Sequence, residues 1–311
     1  MTMKSIKPIL GFTLIEMIIV IVVTGILGGM VAVFLKAPVQ GYMDSARRAE
    51  ITDIADTALH RIERDLRTAL PNSVRVTSNG STVFLEYLET IAGGRYNSAT
   101  TPADCLNNSA LGGCTSLFTT GDLVTDSAGT LVNGQVINFS STPPSAYLVV
   151  YNQYNNSGQD CSPTNPSVYC TPASGVAPVI TGIINSGTAD VINFGSSVFV
   201  PTGGSPYNRF QIVKQPVTYA CTPGGTLTRY WGYTIQATQP NNTAGSPLFG
   251  ASSAILATNI GSTCNFKYDA YVVAQQYGIV TLNLTVSEYN SNAGKFETVS
   301  LYSSTHVSNI P

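Results

Sequence analysis

Four sets of side chains in this sequence are candidates for chemistry: one acid inside an apolar run, six cysteines, two histidines, and a group of tyrosines around the single tryptophan. The acid carries the most information. Residues 12–35 read FTLIEMIIVIVVTGILGGMVAVFL, and Glu16 is their only charge. A bilayer span needs about 20 predominantly apolar residues, and an acid at the centre of one costs on the order of 2.5–3.5 kcal/mol unless a partner relieves it. The chemistry that Glu16 asks for is neutralisation by a cation. A cut after Gly11 would make one, because it frees an α-amine on Phe12, four residues before Glu16. Residues 1–11 are a short polar leader with Lys4 and Lys7. A secretory signal is cleaved beyond its apolar core, whereas Gly11 precedes it, so the apolar segment stays with the mature chain.

The remaining candidates point away from catalysis. Six cysteines, Cys105, Cys114, Cys161, Cys170, Cys221 and Cys264, all follow the apolar run. An even number in an exported segment reads as disulfides. Cys105 with Cys114 and Cys161 with Cys170 each enclose a short polar loop, and Cys221 with Cys264 would then staple two strand-rich segments. None of the spacings is C-x2-C, so no metal, cofactor or redox centre is expected. His60 lies on a helical face between Asp56 and Arg64, and His306 has no acid beside it. No G-x-S-x-G, phosphate-binding loop or H-E-x-x-H occurs, so the chain is not expected to be an enzyme. Arg229, Trp231 and Tyr233 would share one face of a strand with Tyr230 opposite, and Tyr147, Tyr151, Tyr154 and Tyr169 are further aromatics for an adhesive, sugar-binding surface. Without residues 1–11 the chain holds 13 basic and 17 acidic residues. Nucleic-acid binding therefore has no electrostatic support.

A basic leader ending in Gly11 and followed by Phe12-Thr-Leu-Ile-Glu16 resembles the prepilin-peptidase signature of the type IV pilin family. The resemblance implies cleavage after Gly11, N-methylation of Phe12, and neutralisation by Glu16 of a neighbouring subunit's terminal amine during filament assembly. It also implies the partners: prepilin peptidase, the major pilin and other minor pilins, the inner-membrane assembly platform and membrane lipid. The motif covers residues 11–16, and the family's helix extends more loosely to about Leu70. The large β-rich head and the closing residues 299–311 resemble a minor subunit of mannose-sensitive haemagglutinin (MSHA) pili, which implies a part in initiating or capping pilus assembly. Two other functions fit the same signature: a minor pseudopilin of type II secretion, and a pilus-tip adhesin that binds a carbohydrate.

Several elements must position these residues. Lys4 and Lys7 place the N-terminus in the cytoplasm and the remainder outside the inner membrane, with the pilus and cell surface as the later location that the resemblance implies. Residues 12–35 form the membrane half of a long helix, in which Gly25 and Gly29 are a small-xxx-small pair suited to close helix packing. Residues 36–70 hold 12 of the 32 charged side chains, yet Ile51, Ile54, Ala55, Ala58, Leu59, Ile62, Leu66 and Ala69 recur at three- and four-residue intervals. That is the mark of an amphipathic helix. Pro71 should end it, and Pro38 with Gly41 should kink or interrupt it. Beyond it, residues 71–311 form a head in which alternating runs predict strands at 82–88, 146–151, 209–213, 227–235, 266–273, 279–286 and 296–302. The last two read as a hairpin. The fold class expected is α+β, a long N-terminal helix packed on a mostly antiparallel, disulfide-stapled β head.

Overall fold

The computed structural model describes residues 12–97, 116–154, 167–170, 177–185, 187, 189–195, 205–272, 277–291 and 293–310. It contains one long helix, α1 (Leu14–Leu66), and twelve strands. In chain order these are β1 (Arg75–Asn79), β2 (Thr82–Arg95), β3 (Ser116–Phe118), β4 (Tyr147–Val149), β5 (Ile180–Ile184) and β6 (Val191–Phe194), followed by β7 (Arg209–Cys221), β8 (Leu227–Trp231), β9 (Ser252–Ala257), β10 (Ile260–Val272), β11 (Tyr277–Asn290) and β12 (Lys295–Ser308). All pair antiparallel, in the orders β1-β2-β7-β8-β9 with β4 also on β7, β10-β11-β12, and β3-β6-β5. This is the α+β layout expected of the sequence. Two compact units divide the chain, Met1–Glu50 and Ile51–Pro311.

In the first unit the helix passes through Pro38 and Gly41 without interruption. A proline inside a helix removes one hydrogen bond and crowds the preceding turn, and here the flanking ladder holds the helical path. At the far end the helix stops at Leu66, three residues before the last periodic position, Ala69, because strand pairing competes for the backbone. The Thr68 hydroxyl donates to the Asp65 carbonyl at 2.8 Å, the Leu70 amide donates to Leu88 in β2, and the Thr90 amide donates to Thr68.

In the second unit, the amphipathic stripe works as its spacing predicts. Ile51, Ala55, Ala58, Leu59, Ile62 and Leu66 are buried in one cluster with Leu85 and Tyr87 of β2, Val217 and Tyr219 of β7, and Phe266, Val280, Leu282, Leu284 and Val286 of β10 and β11. One helical face thus serves two sheets at once. Complete burial of each large aliphatic side chain contributes about 1.5–3 kcal/mol. The same cluster contains Cys221 and Cys264, whose disulfide joins β7 of the first sheet to β10 of the second, with Cα atoms 6.1 Å apart. That bridge is as expected. Cys170 is buried and disulfide-bonded, while Cys105, Cys114 and Cys161 lie outside the described residues.

A second core lies between the small β3-β6-β5 sheet and the far halves of β2 and β7, with Leu117, Ile183, Ile192, Phe210 and Ile212 among its members. Gly94 leaves room there for the Phe210 ring, which a Cβ on residue 94 would meet at 2.9 Å and have to displace. The hairpin predicted near the C-terminus is β11–β12, paired from Tyr277↔Ser308 to Asn290↔Lys295 without a register shift. Every predicted strand overlaps an observed one; β2, β7, β10, β11 and β12 begin or end beyond the predicted runs, while β4 is shorter than the predicted 146–151 and β8 stops at Trp231, four residues before the predicted end at 235.

Candidate functional site

The site begins where the helix begins. Phe12 and Thr13 precede it, and Thr13 caps it: its carbonyl accepts from the amides of Glu16 at 3.1 Å and Met17 at 3.2 Å. The Thr13 hydroxyl also accepts from the Glu16 amide at 3.3 Å. Thr13-x-x-Glu16 is a capping-box sequence, in which the first residue's side chain satisfies one of the amides that a helix N-terminus leaves without a partner. The signature was legible in the chain, and the charge argument overlooked it. It gives Glu16 a local role, because a carboxylate in the first turn interacts favourably with the positive end of the helix dipole. That role differs from pairing with a cation.

Beyond the cap, every residue from Phe12 to Met43 is exposed, including Leu14 at 80%, Ile21 at 64% and Phe34 at 78%. A lone helix has no interior, so these apolar side chains require lipid or other helices around them. Residues 14–35 span about 33 Å at 1.5 Å per residue, the thickness of a bilayer's hydrocarbon core. The helix is long and apolar enough to cross a membrane, with mean hydropathy 2.8 in its most apolar window. Its one internal hydroxyl with a long polar reach is satisfied locally, since Thr24 donates to the Val20 carbonyl at 2.7 Å. Gly25, Gly28 and Gly29 have nothing within 4 Å of the position a Cβ would take. The narrow backbone there is open to a neighbouring helix. Gly11 lies outside the described residues.

The head's polar interior was not foreseen. Glu86 is fully buried and accepts from Arg75 Nε at 2.7 Å, the Tyr233 hydroxyl at 2.8 Å and the Thr218 hydroxyl at 3.3 Å. Burial pushes the Glu86 carboxyl up from its ordinary value, and the Arg75 guanidinium opposes that rise. Arg75 also donates to the carbonyls of Gln236 and Ala237, each at 2.8 Å, and lies 3.6 Å over the Tyr169 ring. The hydroxyl of Tyr169 donates to the Ser73 carbonyl at 2.6 Å. This network joins β1, β2, β7 and the two segments that carry Tyr169 and residues 233–237.

A second network fixes the helix to the sheets. Asp65 accepts from the Tyr219 hydroxyl at 2.6 Å and from Arg229 Nε at 3.2 Å, with Arg61 Nε also 3.2 Å away. Glu63 accepts from Ser303 of β12 and stands 3.3 Å from His60 Nδ1. His60 is exposed between Asp56 and Glu63, and His306 is exposed on β12.

The aromatic residues suggested for sugar binding are largely interior. Tyr147, Tyr169 and Tyr233 are buried, and Trp231 lies beneath Arg229, 5.1 Å from its ring centroid. Tyr233 does not share the face of Arg229 and Trp231. Gly232, at φ +83, breaks the alternation after β8, and Tyr233 turns toward Phe84, Ala220 and Leu248.

Residues 7–32 match the family model described as the prokaryotic N-terminal methylation motif. No curated protein matches the chain, and no solved structure does. The matched residues contain Gly11, Phe12, the Thr13 cap, Glu16 and the three glycines of the apolar helix, Gly25, Gly28 and Gly29. The motif supports a type IV pilin-like or pseudopilin-like structural subunit, processed by prepilin peptidase and anchored by its apolar helix.

Proposed function

We propose that this chain is a minor pilin, cleaved after Gly11 and N-methylated on Phe12, that takes part in the initiation and assembly of an MSHA-type pilus at the inner membrane. The observation that carries the reading is Glu16, a lone carboxylate in an exposed apolar helix within the matched motif. Before assembly the head faces the periplasm, and after it the subunit is part of a surface filament. Glu16 pairs with the terminal amine of an adjoining subunit, and Gly25 and Gly29 let the two apolar helices approach. Residues 1–11 then act as leader, 12–35 as the membrane half of the helix, 36–70 as its amphipathic half, and 71–311 as the head. The other minor pilins, the major pilin and the assembly platform are its partners.

A minor pseudopilin of type II secretion would use the same helix in the same way. Deleting the gene separates the two: loss of surface pili with secretion intact supports the pilin, and loss of secretion with pili intact supports the pseudopilin. The sugar-binding reading has less to rest on, because three of the aromatics it invoked are buried. Replacing Gly11 by a bulky residue should leave an unshifted precursor on a gel. Normal processing of that variant would contradict the assignment of the cleavage site.

A further inference from the structure

The head, residues 71–311, has four arginines. Two are paired within the fold, Arg75 with Glu86 and Arg229 with Asp65. The other two, Arg95 at the end of β2 and Arg209 at the start of β7, stand directly opposite each other in the antiparallel register. Side chains in that relation leave the sheet on one face with their Cβ atoms about 5 Å apart, and like charges there repel. Among the described residues neither guanidinium forms an ion pair or a hydrogen bond. What they share is the ring of Tyr207, whose centroid lies 5.9 Å from the Arg95 guanidinium carbon and 5.2 Å from that of Arg209. Tyr207 is itself 72% exposed.

The backbone under this cluster is bent to hold it. Tyr207 and Asn208 are both left-handed, with φ 60 and 54. Asparagine enters that region readily, whereas tyrosine does so against the contact between its Cβ and the following carbonyl. The turn is pinned from within: the Asn208 amide donates to the Ser205 carbonyl at 2.9 Å, the Arg209 amide donates to the Ser205 hydroxyl at 3.2 Å, and the amide of buried Tyr96 donates to the Asn208 carbonyl at 2.8 Å. Beneath it the core is filled by Tyr96 and Phe210, so the exposed ring and the two guanidiniums add nothing to its packing. A tyrosine held in a strained conformation and two cations held face to face both act against folding.

We infer that Arg95, Tyr207 and Arg209 form a docking site for an acidic segment of a partner protein, with a carboxylate on each guanidinium and the tyrosine ring covered between them. The partner is acidic because the site offers two cations that the fold leaves without a counter-charge. Guanidinium forks bind carboxylates through paired hydrogen bonds, and contact with one ring orders both forks in advance, which lowers the entropy lost on binding. Exposed arginine and tyrosine are also the residue types that carry most of the energy at protein interfaces. A protein segment fits better than a small anion, which would leave the aromatic surface uncovered. The site lies wholly within the head and goes beyond the minor-pilin reading without resting on it.

The test titrates the full chain in dodecyl maltoside with a hexaglutamate peptide, followed by calorimetry. Saturable binding is expected, suppressed by salt and weakened about tenfold or more by Arg95→Gln and by Arg209→Gln. Arg95→Lys and Arg209→Lys, which keep the charge and lose the fork, should weaken it less. Tyr207→Gly should weaken binding severalfold while holding or raising the thermal transition, since glycine takes the left-handed conformation without strain. The glutamine variants should also keep the parent's transition, because neither arginine has a partner in the fold to lose. Absence of binding to the parent overturns the inference, as does binding that both glutamine variants retain. Displacement of the peptide by inorganic phosphate at matched ionic strength overturns it too, by marking a small-anion site, and a lowered transition in the glutamine variants does so by making the arginines structural. Each of these results leaves the minor-pilin reading untouched.

Discussion

Replacing Arg75 with methionine removes the only cation in contact with Glu86 among the described residues while leaving most of the side-chain volume. Glu86 has no exposure, and its carboxylate is held by Arg75, Tyr233 and Thr218. Breaking one member of a buried ion pair costs about 3–5 kcal/mol, because the other charge stays behind without compensation. With a urea dependence near 3 kcal/mol per molar, the midpoint of unfolding should fall by about 1–1.7 M. The loss should depend on pH. Burial raises the Glu86 pKa and Arg75 lowers it, so without Arg75 the folded carboxyl lies further above its unfolded value. The stability linked to a raised pKa is present below the unfolded pKa of 4.5 and is lost as pH rises through the folded one. Urea titration of the unit from Ile51 to Pro311 at pH 4.5 and pH 7.5 should therefore show the larger deficit at pH 7.5. Arg75→Met/Glu86→Leu should recover most of it, since removing both partners leaves no orphaned charge. An unchanged midpoint at pH 7.5, or a deficit equal at the two pH values, would refute the reasoning.

Other consequences are equally direct. Asp65→Ala leaves the Tyr219 hydroxyl and Arg229 without their helix partner, and should cost about 2–3 kcal/mol in the same urea assay. Cys221→Ala/Cys264→Ala opens a loop of 43 residues, which chain entropy values at about 4 kcal/mol; thermal unfolding followed by circular dichroism should show the lowered transition. Burial pushes the Tyr147 phenol up to about 12 from its ordinary value of 10.0. The stability tied to that raised value persists below pH 10 and is lost as pH climbs through 12, so in an alkaline titration by ultraviolet absorbance Tyr147 should ionise after the exposed tyrosines, and Tyr147→Phe should remove one tyrosine's absorbance change near pH 12 while the late ionisation of Tyr87, Tyr169, Tyr219 and Tyr233 remains.

The parts of the fold that were legible in the sequence are those in which one periodicity ruled. Ile51 to Leu66 alternate at helical spacing because a single face is buried, and β11 with β12 alternate because one face meets the helix and the other meets water. The strands that escaped notice had weaker patterns. In β1, Arg75-Val-Thr-Ser-Asn79 is polar because its arginine serves a buried acid, and β9 is exposed along most of its length, so no alternation marks it. β3, β5 and β6 are only three to five residues long, and β3 finds its partner β6 more than seventy residues away. The helix end was misjudged because apolar spacing continued to Ala69 while β2 claimed the backbone of residues 68–70. At the N-terminus, charge alone singled out Glu16, but the threonine that caps the helix in front of it carries no charge and was passed over. Pairing of Glu86 with Arg75, eleven residues apart on adjacent strands, follows from register and not from local composition.

Under the proposed function Glu16 pairs with a terminal amine besides standing in the first turn of the helix, and one substitution tests the pairing. Glutamine leaves the Thr13 cap in place, since that rests on the Thr13 hydroxyl and the amide of residue 16, but it carries no charge and cannot neutralise an amine. The decisive measurement is incorporation of the Glu16→Gln variant into filaments, with leader cleavage followed on the same samples. The account predicts normal cleavage and a large drop in incorporation; filaments that take up the glutamine variant as readily as the parent would contradict it.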